Sequence, residues 1–508
     1  MIDYTGKGIH KLKRIMSFLL TCISVLTMLS GCGGKGGAGE KKESEFMVSK
    51  ISDEKIYKIT NLYTDRVLDG ENFGYIEGSK ARQKRYNGDL NQFWGMTVDK
   101  NKNVKIKNLT TGYVLSVKED SEEDGAAIVL QEESKSSYQT WKLKEKGSGW
   151  LIESVPSEKA IGIPNDSRTD AVALELNAGS DEKSRVWKIE QVTATVKTLP
   201  KLLALTGSIS HSATPEIVKF KDMYYSYNMS PGIGIKQSKD LKNWSYIKQT
   251  TAFEQKSQPF EWMEEAVPDG DIWAPGVYRF GGKNYLYYCV SKSGQVSAIG
   301  VGVNKTLDPT SPDFKWEDLG MVISSKEGDK YNCIDPNIIL DEDDEPWLVF
   351  GSWWDGIFLR KINKDTGMLS DEDTTFYPLA SQKAKKSGIE APYMVKHDDY
   401  YYLFAAFGNT QENYHSSVGR SKSIKGPFVD RDGVDMLDGG GSMVTYSKDS
   451  ITGPGHASVF IDDDGQYYLV SEYFREGVPT QMLITTIEWD EDGWPVTALT
   501  PNIIKESE

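Results

Sequence analysis

IILDEDDEPWLVF (338–350) is an apolar strand, an acidic turn and a second strand bearing an aromatic residue, and the figure recurs four times: VKFKDMYYSY (218–227), YRFGGKNYLYY (278–288), MVKHDDYYYLF (394–404) and VFIDDDGQYYLV (459–470). Each has the form of a β-hairpin, two strands joined by a Gly/Asp-rich turn. The matched aromatics Tyr225, Tyr285, Trp347, Tyr402 and Tyr468 stand 60, 62, 55 and 66 residues apart. That spacing leaves room for about four strands per unit, arranged radially. Five units with no visible sixth predict an all-β five-bladed propeller over 207–508. A β-sandwich with five chance hairpins is the plainer alternative.

A shorter repeat lies upstream. Gln92-Phe93-Trp94, Gln139-Thr140-Trp141 and Arg185-Val186-Trp187 recur at steps of 47 and 46 residues. Strand-like openings keep the same step: YKITNLYTDRVL (57–68), VKIKNLTTGYVL (104–115) and WLIESVPSEKAI (150–161). Units of this size cannot each bury a face alone, so three are expected to close around a shared axis. The repeated Gln-x-Trp resembles the ricin B-type lectin, which implies an N-terminal β-trefoil over 51–195, joined by a linker over 196–206. The same resemblance implies a sugar contact from an Asp after the Leu of the first hairpin. Here that residue is Asp69, but Ser116 and Gly162 replace it in the other units. The pocket selected is therefore the first, with Asp69 and Tyr75; a spacer domain without lectin function is the alternative.

At 508 residues the chain is too long for one ordinary core. A net charge of −15 and a pI of about 5.1 argue against nucleic-acid or anionic-membrane partners. Lys11, Lys13 and Arg14 precede an apolar stretch, 15–29, too short for a comfortable membrane span. It ends in Leu29-Ser30-Gly31-Cys32, which resembles a bacterial lipobox. The expectation is a leader over 1–31, lipidation of Cys32, a flexible spacer over 32–50 and an extracytoplasmic protein anchored to the bacterial cell membrane. An ordinary secretory signal containing a Cys is the alternative. Cys289 and Cys333 could pair, although two buried free thiols is the reading adopted. Nothing in the sequence demands more than a monomer.

Eleven to thirteen residues before each matched aromatic stand Thr214-Pro215, Ala274-Pro275, Asp335-Pro336, Ala391-Pro392 and Gly455-His456. In a propeller the corresponding strand ends meet around the axis. Asp335, Glu390, His456 and position 214 should therefore be neighbours, and two carboxylates with one His suit acid/base chemistry. At these residues the chain resembles glycoside hydrolase family 43, particularly its arabinanase branch. The matching stretches are DIWAPGVYRF (271–280), CIDPNIILDEDDEPWLVFGSWWDGIFL (333–359), GIEAPYMVKHDDYYYLF (388–404), SVGRSKSIKGPF (417–428), GGGS (439–442), GPGHASV (453–459) and EWDEDGWPV (488–496).

The resemblance implies hydrolysis of α-L-arabinofuranosyl linkages in arabinan or related furanosides, with inversion. It makes Glu390 the general acid and Asp335 the carboxylate that orients the site and keeps the Glu390 pKa high. It matches His456 to a residue that helps hold a hydrated calcium ion on the axis. Trp273, Phe350 and Trp353 are candidates for stacking on sugar, with ordinary blade packing the alternative for Phe350. The family's general base is the Asp of an Asp-Pro step opening the first blade, and here that residue is Thr214. A hydroxyl is no useful base near neutral pH. Glu216 is an improbable substitute; Asp269 and Asp271 lie in a nearby loop, and Gly276 stands where arabinanases often carry Asp. Three readings follow: a furanosidase with a displaced base, a catalytically impaired carbohydrate-binding lipoprotein, and a scaffold that engages no sugar.

Overall fold

Trp94, Trp141 and Trp187 show how the first repeat closes. Each indole is fully buried and donates a 3.1 Å hydrogen bond to the carbonyl ending its unit's opening stretch, at Leu68, Leu115 and Ile161 respectively. The computed structural model describes residues 50–74, 77–177, 179, 182–192, 199–410 and 413–501. The leader, Cys32 and Tyr75 lie outside the described residues.

Strands Ile56–Asn61, Phe93–Val98, Val104–Asn108, Trp141–Lys146, Gly149–Ser154 and Trp187–Val192 pair in a closed ring, the last returning to the first. Alternate residues point inward, so Ile59, Met96, Ile106, Leu143, Ile152 and Ile189 join the tryptophans in one core. Three hairpins, Val67–Gly70 with Ala81–Lys84, Val114–Val117 with Ile128–Gln131, and Ile161–Gly162 with Glu175–Leu176, cover one end. This is a β-trefoil.

The second repeat forms five sheets around one axis, each of four antiparallel strands, the first extended by a fifth, parallel strand. Their innermost strands are Glu216–Phe220, Asp271–Phe280, Asn337–Leu340, Ile389–His397 and Thr452–Ile461, here called blades I to V. The register is five-fold regular: Tyr225, Tyr285, Trp347, Tyr402 and Tyr468 pair with Val218, Tyr278, Ile339, Val395 and Phe460. Each of those partners lies four residues after Thr214, Ala274, Asp335, Ala391 or His456. The circle is laced shut by the incoming chain. Residues 202–210 bond to strand Val478–Trp489 of blade V, while Thr206–Gly207 pairs with the outermost strand of blade I. Cys289 and Cys333 are buried free thiols within the layer between blades II and III.

The trefoil docks on the propeller through its first unit. Arg82 bridges Asp69 at 2.6 Å and Asp449 at 2.7 Å, Lys84 reaches Asp449 at 3.2 Å, and Lys448 bonds Asp89 and Asn91. The Phe73 ring meets Tyr446 edge-on, and Ser450 donates to Asn72 at 2.6 Å. The expected sugar contact at Asp69 is corrected by this arrangement. Asp69 is fully buried and its oxygens accept from Arg82, Asn91 and Gln92, so the carboxylate is engaged in the domain junction rather than facing a ligand.

Candidate active site

Thr214, Ala274, Asp335, Ala391 and His456 all take left-handed backbone, with φ between 42° and 57°. Non-glycine residues rarely do so, and the strain concentrates where a fold aims side chains at a site. Four of the five precede proline, which disfavours right-handed helical backbone at that step. The chain therefore turns sharply at the mouth of every blade, and the five turns line one small axial cavity.

Glu390 sits half-buried beside this ring. Tyr414 donates to its Oε1 at 2.9 Å and Ser352 to its Oε2 at 3.2 Å, which fixes the carboxyl plane. Asp335 accepts the Ala391 amide at 2.9 Å, one residue beyond Glu390. Burial, the charge of Glu390 and then that of Glu472 push the Asp335 carboxyl well above its usual range, against the pull of the Ala391 amide. Glu472 is the carboxylate that sequence reasoning missed. It reaches in from the second strand of blade V, is buried, and accepts the Thr214 amide at 2.8 Å. Burial raises it to about 7, opposed by that amide and assisted by Glu390. Glu390 and Glu472 thus both lie close enough to Asp335 for their charge to oppose its ionisation.

Tyr414 was also missed; it falls outside the hairpin repeats, in the segment leading to strand His415–Ser421. The signal available for Glu472 was its place in SEYFREG (471–477), on the strand facing the GPGH turn.

The remaining candidates separate clearly. Trp353 and its neighbour Trp354 are 44% and 39% exposed, with left-handed φ of 49° and 36°, next to Ser352. The Trp353 amide donates to Ile389 at 2.7 Å and its ring covers Gly388, so this indole lies beside the strand that carries Glu390. Trp273 is half-buried and packs with the layer between blades II and III. Phe350 is fully buried among Tyr331, Phe358 and Phe376, which is blade packing. Asp269 and Asp271 are exposed, the first with its amide bonded to Glu264 at 3.2 Å. Glu216 faces the axis, where Tyr278 donates to it at 3.1 Å. A Cβ on Gly276 would lie 2.6 Å from that Glu216 oxygen, so the glutamate fills the space a larger residue at 276 would need.

His456 lines the axial cavity and burial lowers its pKa to about 4, so the ring is neutral. Among the described residues, no three His, Cys, Asp or Glu side chains converge as a metal cage. Calcium prefers six to eight oxygen ligands, and this donor set does not fit a calcium ion held directly by protein. Thr214 presents a buried Oγ1 that has no hydrogen-bond partner among the described residues.

Comparison with known proteins agrees with this geometry. Residues 45–131 match the ricin-type beta-trefoil lectin domain-like family. An extracellular exo-α-(1→5)-L-arabinofuranosidase of Cellvibrio japonicus is 39% identical over 299 residues, covering 55% of this chain and 84% of that protein. An extracellular endo-α-(1→5)-L-arabinanase of Bacillus subtilis is 34% identical, covering 52% and 79%. Among solved structures, the Cellvibrio cellulosa α-L-arabinanase complexed with arabinohexaose superposes with a TM-score of 0.52 at 38% identity, over 56% of this chain and 95% of that one. Residues 209–495, spanning all five blades and every carboxylate of the axial cluster, match the model of glycosyl hydrolases family 43, and the chain belongs to that family.

Proposed function

We propose that this protein hydrolyses α-L-arabinofuranosyl linkages of arabinan, arabino-oligosaccharides or related hemicellulose outside the cytoplasm, with inversion at the anomeric carbon. The observation that carries the reading is Glu390, oriented by Tyr414 and Ser352 with the exposed Trp353 beside its strand. Glu390 protonates the leaving oxygen. Asp335 braces the next blade through the Ala391 amide, one residue beyond Glu390, and so orients the strand that carries the acid. The indoles offer apolar faces on which furanose rings stack. The names of the relatives, arabinanases and an arabinofuranosidase described as extracellular, support both substrate and location. The basic-apolar leader and Cys32 support attachment to the bacterial membrane by lipid.

Thr214 favours a second reading, a carbohydrate-binding lipoprotein with impaired catalysis. One experiment separates the two: incubation of the purified mature protein with debranched arabinan and aryl α-arabinofuranosides, beside a Glu390→Gln variant. Sugar release by the native protein that falls to background in the variant supports the hydrolase. Equal background release from both overturns it, and calorimetry with arabino-oligosaccharides then tests binding alone.

A further inference from the structure

Position 214 supplies no base, yet a carboxylate stands beside it. Glu472 Oε2 accepts the Thr214 amide at 2.8 Å. With an N–Cα bond of about 1.46 Å, that oxygen lies no more than about 4.3 Å from the Thr214 Cα. The carboxylate therefore stands against the backbone from which an aspartate side chain at 214 would project. We propose that Glu472, reaching across from blade V, is the carboxylate that activates the attacking water, in place of the aspartate of the first Asp-Pro step. The proposal rests on the hydrolase reading above.

Three observations carry it. Glu472 lies near Glu390, because Glu390 and Asp335 both interact electrostatically with it and Tyr414, which bonds Glu390, feels all three charges. The contact also repeats that of Asp335: each carboxylate accepts the amide of a left-handed residue at the mouth of the next blade, Ala391 or Thr214. Finally, the unpartnered Thr214 hydroxyl gives a water held by Glu472 a second polar partner, and buried water requires two to four.

The competing carboxylates are placed otherwise. Glu216 is held by Tyr278 and the Val277 amide. Asp269 and Asp271 are exposed, and Asp271 pairs with Ser291 at a strand end.

The step balances without a further reactant. Glu472 takes a proton from water, the water oxygen bonds to the anomeric carbon, the glycosidic C–O bond breaks, and Glu390 gives its proton to the departing oxygen. Solvent then returns both carboxyls to their starting states.

The test uses the full mature protein with an aryl α-arabinofuranoside and debranched arabinan. Glu472→Gln preserves an acceptor for the Thr214 amide, so its fold should persist, as checked by circular dichroism. It is expected to lower kcat by about 10²–10⁴-fold with little change in KM. In Glu472→Ala, sodium azide, which needs no base, should restore turnover and yield an arabinosyl azide of inverted configuration. Thr214→Asp added to Glu472→Gln should recover activity at least in part. A Glu472→Gln enzyme within about threefold of native kcat, or an alanine variant that azide does not rescue, overturns the assignment while leaving the hydrolase reading intact. A native protein that releases no sugar overturns both.

Discussion

Tyr414 donates a 2.9 Å hydrogen bond to Oε1 of Glu390 while its ring packs over Gly455, where a Cβ would come within 2.3 Å of it. Gly455 thus allows blade V to approach closely enough for the phenol to reach the Glu390 carboxyl. Burial first, then the charges of Glu390, Glu472 and Asp335, push the Tyr414 pKa well above its usual value, so the phenol stays a donor. Tyr414→Phe keeps the ring and removes that bond. We expect kcat to fall roughly tenfold with KM nearly unchanged and stability reduced by about 1 kcal/mol. Steady-state kinetics over a pH series, beside thermal unfolding, checks this; a change in Tm alone would mean that the bond only supports packing.

Trp353 and Trp354 are large apolar side chains left exposed on left-handed backbone, and Trp353 lies beside the strand that carries Glu390. A soluble surface offers no reason to hold two indoles in strained positions unless something covers them. Trp353→Ala is expected to raise KM for arabino-oligosaccharides roughly tenfold, about 1.4 kcal/mol of lost stacking. Trp353→Phe should retain most of the affinity. Calorimetric titration of the two variants in a Glu390→Gln background measures binding without turnover.

Thr214 carries two costs, a β-branched side chain at φ 48° and a buried hydroxyl with no protein partner among the described residues. Thr214→Gly removes both and should raise stability by about 1 kcal/mol, or roughly 2–4 °C in Tm. Thr214→Val removes the hydroxyl but keeps the strain, so its gain should be smaller. Differential scanning calorimetry of the three proteins gives the order; a destabilised glycine variant would show that the threonine methyl packs more favourably than its backbone is strained.

Glu216 gives the protein a pH-dependent stability. Burial raises its carboxyl to about 8 from 4.5, although Tyr278 and the Val277 amide pull it down. The folded state therefore binds a proton that the unfolded state has already released above about pH 4.5. This contribution is fully present below that pH and is lost as pH rises toward 8. Tm should fall between pH 5 and 8, and Glu216→Gln should flatten that slope. Gly276→Asp should steepen it, because a second carboxylate would enter the same space.

Both repeats were legible because their signals are periodic and local. Gln-x-Trp recurs since each indole must reach the carbonyl 26 residues earlier, and the five hairpin aromatics recur since each pairs with the strand opposite. Asp335 stands at that period and Glu390 one residue before it, so the alignment brings both to the axis. Glu472 and Tyr414 were missed, since they enter the site from a second strand and from the lead into a third, positions the hairpin alignment does not inspect. Asp69 was read as a ligand contact because it matches a lectin position. Nothing local in the chain announces that Arg82 and a propeller loop some 370 residues away cover it, as charge pairing between domains has no spacing rule.

That junction rests on one guanidinium between two carboxylates. Asp69 is fully buried, and burial raises its carboxyl even though Lys448 and Arg82 pull it down. Asp449 is held below its usual range by Arg82 and Lys84 despite burial. Arg82 is the guanidinium that touches both. Replacing buried ion pairs outright can be neutral, but removing one partner leaves an uncompensated charge and costs about 3–5 kcal/mol. Arg82→Ala should therefore loosen the trefoil from the propeller and lower the first thermal transition, while hydrolysis of a small aryl arabinofuranoside by the propeller continues. Asp449→Asn, which keeps an oxygen acceptor, should have a milder effect. Calorimetry and limited proteolysis of the full chain read this directly: the junction depends on Arg82 if the alanine variant unfolds in two separated steps, and it is held by the Phe73–Tyr446 contact and its apolar surroundings if the transition is unchanged.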